Sequence, residues 1–386
     1  MKRISYILFF LGCITQISAQ GIKGNVKIGL LTSLYLDSVF DQKGNYRLQK
    51  NFPKQAVSGL EFYEGASLAI DSLNKIGYLS TMKVYDLQSK EGNIEKLAAT
   101  GELSDYNLLI AHTGSAEYLQ LAAIAKEKNI PLINANYPND GGIRKSPTVF
   151  LANPKINSHL NLIHNQLTRK WPDANIIWFK RNEPGDDRLA NIFKELSTSS
   201  NKIKYKTVEL KALFSTDEIS IHLDTNKTNV LIAGSLDETF SAQFAKAILN
   251  YTKKGIIHVI GMPNWETLKD IQSKSYAGVP IYYTSGFFAP QGNKWVQEVD
   301  EKFKENTGTK ASISAIRGYE LIFFFGSLWS KYKTLDMVKA VDPSLRIVTD
   351  YDFRAVTWNT GAEIPDYYEN KRLYFIRRLN GIASLQ

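Results

Sequence analysis

Five histidines, His112, His159, His164, His222 and His258, are the side chains best suited to move protons or hold a metal near neutral pH. None lies four residues from another, the spacing that puts two imidazoles on one helical face, and no HExxH run occurs. His159 and His164 stand five apart and so face different directions on a helix, which core or surface packing explains. Ser115 follows Gly114 outside any G-x-S-x-G elbow, so it lacks the strained turn that exposes a nucleophile. The acid pairs Asp186-Asp187 and Asp237-Glu238 are adjacent in sequence, as at helix starts, and do not face each other across a substrate. There is no Walker loop and no G-x-G-x-x-G run for a nucleotide. These residues predict neither an enzyme nor a resident metal or cofactor.

Two turns carry binding chemistry instead. Thr113, Gly114 and Ser115 end the apolar run Asn107–His112 and lead into a helical pattern at Ala116–Lys128. Gly234–Glu238 ends a second apolar run, Asn229–Ala233, and leads into a helical pattern at Thr239–Tyr251. A continuous apolar run reads as a buried parallel strand, and the turn at its carboxyl end is where open α/β sheets take ligands. At Thr113–Ser115 the first N–H groups of the helix and its dipole favour an anion. Ser115 has a second reading as a plain N-cap. Glu238 has one as an ordinary acid of a first helical turn.

The elements that must position these turns alternate between strand and helix. Strands are predicted at Val26–Leu31, Met82–Leu87, Leu108–Ala111, Pro131–Asn134, Asn175–Phe179, Val230–Ala233, Gly255–Gly261 and Val279–Thr284. Helical patterns lie at Gly59–Ile76, Ile94–Leu103, Ala116–Lys128, Ser158–Arg169, Asp187–Leu196, Thr239–Tyr251, Asn293–Glu305 and Ala311–Lys331. The fold class is therefore α/β with two lobes facing a cleft, and 386 residues suffice for two cores. Thr32–Ser58 is a long polar loop, read as either a lid or a linker. In the tail, Ser344–Thr357 and Lys371–Leu379 alternate like an antiparallel β-hairpin at a sheet edge.

Lys plus Arg exceed Asp plus Glu, 47 against 38, but the basic residues are scattered and no nucleic-acid motif accompanies them. Residues 1–19 read as a cleaved signal peptide: Lys2-Arg3, the apolar Ile4–Gly12, then Ile17-Ser18-Ala19 before Gln20. The chain is thus expected to be exported, to the periplasm or beyond. Lipid anchoring at Cys13, the only cysteine, is the competing reading, although Leu11 stands where a lipobox has a small residue.

Val26–Leu31, Tyr63–Ile70, Gly114-Ser115, Ile130–Ile133, Ala233-Gly234 with Glu238, Ser285–Phe287 and Gly318-Tyr319-Glu320 occur in an order and spacing that resembles a type I periplasmic binding protein. Within that family the similarity is to the leucine/isoleucine/valine-binding subfamily of ABC-transporter substrate-binding proteins. The resemblance implies two Rossmann-like lobes joined by three crossovers, near Asn153-Pro154, at Thr284–Gly286 and at about Val341–Arg346. Lobe one would hold 24–152 plus 285–340, and lobe two 153–284 plus 341–386, including the hairpin. It implies a small polar ligand, amino-acid-like or other, and an ABC permease as partner. Thr113, Gly114 and Ser115 would hold a ligand carboxylate and Glu238 an ammonium. Asn134, Asn136 and Tyr137 replace the family's small turn ending in threonine, offering amides and a ring. Asn182–Asp186 replaces a Tyr-Gly pair, so Tyr283, with Trp178, Trp265 and Tyr282, would supply an aromatic wall or else lie in the core. These departures keep a second function open: a cell-envelope interaction module on the same fold, without small-molecule transport.

Overall fold

Apolar runs need both faces covered and every backbone polar group paired, and parallel sheets between helices meet both demands. In the computed structural model, which describes residues 23–47, 52–199, 202–249, 256–272, 278–290, 292–335, 342–359 and 361–386, they form two such sheets. The expected leader and Cys13 lie outside the described residues. The strands are β1 (Lys23–Thr32), β2 (Tyr78–Asp86), β3 (Leu108–His112), β4 (Leu132–Asn134), β5 (Val149–Leu151), β6 (Asn175–Lys180) and β7 (Lys206–Glu209). They continue with β8 (Asn229–Ala233), β9 (Ile257–Gly261), β10 (Ile281–Ser285), β11 (Phe353–Val356), β12 (Tyr367–Asn370), β13 (Tyr374–Leu379) and β14 (Ile382–Leu385).

The first sheet runs β11-β12-β5-β4-β3-β1-β2 and the second β14-β13-β10-β9-β8-β6-β7. Five parallel strands in each share one order, the second strand outside the first and the later ones on its other side. The order therefore reverses between β1 and β3 in one lobe and between β6 and β8 in the other. At such a switch point the flanking connections diverge and open a crevice at the carboxyl edge.

The chain ends in a β-hairpin as expected, but its strands are not the expected pair. Ser344–Thr357 does not pair with Lys371–Leu379. Instead β11 pairs antiparallel with β12, which joins the first sheet beside β5, while β13 joins β10 in the second sheet and forms the terminal hairpin with β14. The chain thus passes to the second sheet for the last time at Lys371–Leu373, not at Val341–Arg346, and residues 342–359 and 361–370 belong with lobe one. Packing is the reason: Leu345, Ile347, Tyr351 and Phe353 enter the lobe-one core, with the Phe353 ring 5.9 Å from that of Phe150.

The three crossovers bind one another. Gly286 lies against the Pro154 ring, and Asn370 Nδ2 donates to the Ala152 carbonyl at 3.1 Å. The fully buried Glu369 of β12 accepts from Lys155 N and Ser158 Oγ, so a lobe-one carboxylate ties down the start of the lobe-two helix Ile156–Lys170. His159 Nδ1 lies 2.8 Å from Thr284 Oγ1, and burial holds its pKa down at about 4. The described part of the long first loop is also fixed. Asp86 accepts from the N–H groups of Leu34, Tyr35 and Leu36 at 2.8, 3.1 and 2.7 Å.

Candidate functional site

At the lobe-one switch point the Thr113–Ser115 turn is furnished with acceptors from the chain itself. The helix begins at Ser115 with Gly114 as its N-cap, and no side-chain cap bond forms. Ser115 is therefore an exposed first-turn residue, not the cap. Thr113 N donates to Asn136 Oδ1 at 2.8 Å. The Glu117 carboxylate accepts from Gln88 at 3.0 Å, and its other oxygen would lie 3.1 Å from a Cβ placed on Gly114.

Of the neighbouring turn, only Asn136 meets Thr113–Ser115. Asn134 is fully buried and spends its amide on its own turn, accepting from Tyr137 N and donating to Tyr137 O. The Tyr137 ring packs on Tyr118, 5.4 Å between centroids, on the helix side.

In lobe two, Glu238 is exposed at the start of the helix Glu238–Leu249. Tyr283 is 2% exposed, within the core, where Arg378 donates to its hydroxyl at 3.2 Å. Trp178, Trp265 and Tyr282 are buried as well. Gly234 and Gly261 have no room for a Cβ because the Trp178 and Trp265 indoles lie against them. These aromatics hold up the floor of the lobe and form no wall. The lobe-two switch point is polar instead: Arg181 pairs with Asp186 at 3.1 Å and Asp237 at 3.4 Å, and Ser235 donates to Asp186 at 2.8 Å.

Sequence reasoning missed a concentrated polar group at the cleft edge of lobe one. Ser58, on the helix Lys54–Lys75, lies 3.3 Å from His112 Nε2 at the end of β3 and 3.1 Å from Ser314 Oγ. Ser314 and Arg317 stand three apart on the helix Ile313–Tyr332, on one face. Arg317 Nη2 donates to the Ala135 carbonyl at 3.1 Å and to Asn153 Oδ1 on the first crossover. Its field reaches lobe two, where it opposes the rise that burial imposes on the Glu266 pKa. Glu266 accepts from Ser285 Oγ at 2.8 Å.

Ser58 and His112 are a nucleophile–base pair by type, but the setting is wrong for that chemistry. A general base must become an imidazolium. His112 stacks on Phe62 at 4.7 Å, and burial together with the Arg317 charge holds its pKa at about 4. The arrangement suits recognition.

No family model matches this chain, and no curated protein matches it. Solved structures do. A putative branched-chain amino acid ABC transporter protein from Rhodospirillum rubrum aligns at a TM-score of 0.66 and 13% identity, over 94% of this chain and 100% of that one. An ABC transporter substrate-binding protein from Desulfitobacterium hafniense, solved with Leu, aligns at 0.57 and 13%, over 94% and 100%. A solute-binding protein from Rhodopseudomonas palustris, solved with benzoate, aligns at 0.53 and 16%, over 94% and 95%. At these identities the likeness is one of fold. The chain has the two-lobed type I periplasmic-binding fold.

Proposed function

From that fold, we propose that the chain is an exported solute-binding protein that captures a small polar ligand between its lobes for uptake through an ABC permease. One observation carries the reading: both sheets reverse strand order at their carboxyl edges, and three mutually bonded crossovers join them. Such a joint lets the lobes close as rigid bodies around a ligand that favours the closed state. The Leu and benzoate held by similarly folded proteins share a carboxylate, so a carboxylate-bearing ligand is the first class to try. The candidate contacts are Thr113, Gly114, Ser115 and Asn136 in lobe one and Glu238 in lobe two. Asn134, Tyr137 and Tyr283 serve the fold.

A specific observation supports the alternative, an envelope interaction module without small-ligand transport. Asn136 and Glu117 already attend the turn that would hold a carboxylate. A thermal-shift screen of the chain from Gln20 onward separates the two. Amino acids, benzoate, short peptides, sugars and cell-wall fragments should include one compound that raises the unfolding midpoint by about 5 °C at a hundredfold excess over its Kd. A panel that leaves the midpoint unmoved would sink the solute-binding reading in favour of the module.

A further inference from the structure

The geometry points to Arg317, with Ser58 and Ser314, as the anchor for an anionic group of the ligand, in place of the Thr113–Ser115 turn. The inference rests on the cleft-binding reading and adds to it a site and a charge: a compact monoanion, a carboxylate.

The two candidate anchors differ in what already fills them. At the turn, the Thr113 N–H is spent on Asn136, and the Glu117 carboxylate is fixed by Gln88 beside Gly114. A second carboxylate arriving there meets a like charge. At Arg317, both acceptors found among the described residues lie on Nη2, which leaves Nε–H and the Nη1 hydrogens for an incoming group. Those two acceptors also fix the plane of the guanidinium, so the remaining N–H groups hold set directions for single charge-assisted bonds to a carboxylate oxygen.

The surroundings complete the anchor. Ser314 sits one turn before Arg317, its hydroxyl 3.1 Å from that of Ser58, which lies 3.3 Å from His112. His112 stays neutral and adds no charge that competes for the anion. Two acids lie near Arg317. Glu320, three residues on along the same helix, is held by Val348, Thr349 and Tyr351, and Glu266, in lobe two, accepts from Ser285. Both acids hold hydrogen-bond partners of their own, and the single guanidinium charge offsets one monoanion but not a dianion such as phosphate.

The test is calorimetric titration at pH 7.5 of the chain from Gln20 onward with benzoate and L-leucine, with the matched amides benzamide and L-leucinamide, and with inorganic phosphate. At least one acid should bind about tenfold or more tighter than its amide, and phosphate should not bind. Arg317→Gln should weaken that acid by about thirtyfold or more, Arg317→Lys by less, and Ser115→Ala by no more than about twofold. Arg317→Lys retains the charge and guards against a folding defect, with the unliganded unfolding midpoint as the check. Amides binding as tightly as acids would overturn the proposal. So would loss of acid binding in Ser115→Ala together with its retention in Arg317→Gln. If none of these probes binds while an uncharged compound from the wide screen does, the cleft reading stands and the Arg317 anchor falls.

Discussion

Glu320→Ala is expected to cost about 3–5 kcal/mol of unfolding free energy, because it strips buried donors of their only charged acceptor. Glu320 is 1% exposed and accepts from Val348 N at 3.2 Å, Thr349 N, Thr349 Oγ1 at 2.9 Å and Tyr351 Oη at 3.2 Å. Burial pushes its pKa up while the Thr349 bonds and the Arg317 charge pull it back, so the carboxyl group is held by those partners. It ties the segment 348–351 to the helix Ile313–Tyr332, and Tyr374 on the far side of the third crossover accepts from Asp350 N. Glu320→Gln keeps one acceptor oxygen and should lose about half as much. Urea denaturation reads both, with the slope unchanged if the fold is retained. A loss below about 1 kcal/mol in Glu320→Ala would mean that the segment finds other acceptors.

Gly65→Ala is expected to cost about 3 kcal/mol and to weaken ligand binding as well, for a reason local to one helix crossing. A Cβ on Gly65 would stand 1.8 Å from the Ala315 carbonyl oxygen, and one on Gly318 would stand 2.1 Å from that of Phe62. Both obstacles are backbone, so no rotamer change relieves them and the helices Lys54–Lys75 and Ile313–Tyr332 must separate. These helices carry Ser58 and, on the other side, Ser314 and Arg317. The crossing that stabilises lobe one therefore also sets the 3.1 Å spacing between the two serine hydroxyls. Gly185→Ala is the control: its Cβ meets nothing within 4 Å, its φ is ordinary and it lies in the helix Pro184–Ser199. Thermal unfolding should show a midpoint unchanged or slightly raised for Gly185→Ala and clearly lowered for Gly65→Ala. Equal midpoints would contradict the close-crossing account.

Much of the fold was legible because buried parallel strands leave continuous apolar runs. Leu108–Ala111 and Val230–Ala233 read that way and became β3 and β8. An exposed edge strand or a very short inner one leaves no such trace: β7, Lys206–Glu209, is mostly exposed and polar, and β5, Val149–Leu151, lies between β12 and β4 but is only three residues long. The tail misled because alternation reveals a pleated face but not its partner, so β11 and β13 seemed to face each other when each joins a different sheet. The site was legible only where it is local. Thr113–Ser115 could be found as a strand-to-helix turn, but its occupation by Asn136, 23 residues away, could not. Ser58, His112 and Ser314 meet across 54 and 256 positions, a juxtaposition that no short motif encodes. The nearest sequence signal was the Gly318-Tyr319-Glu320 run, which directly follows Arg317.

The central claim is that a small ligand closes two lobes on a cleft, and a distance across that cleft tests it most directly. Cys13 is the only cysteine, so in a chain starting at Gln20 spin labels on Lys90→Cys and Glu183→Cys report alone. Both positions are exposed, one beyond the carboxyl end of β2 and the other beyond that of β6. Pulsed electron–electron resonance should show the interlabel distance shortening and its distribution narrowing when the best ligand of the thermal screen is added to saturation. A distribution left unchanged by a ligand that still raises the unfolding midpoint would put that ligand outside the cleft and contradict the account.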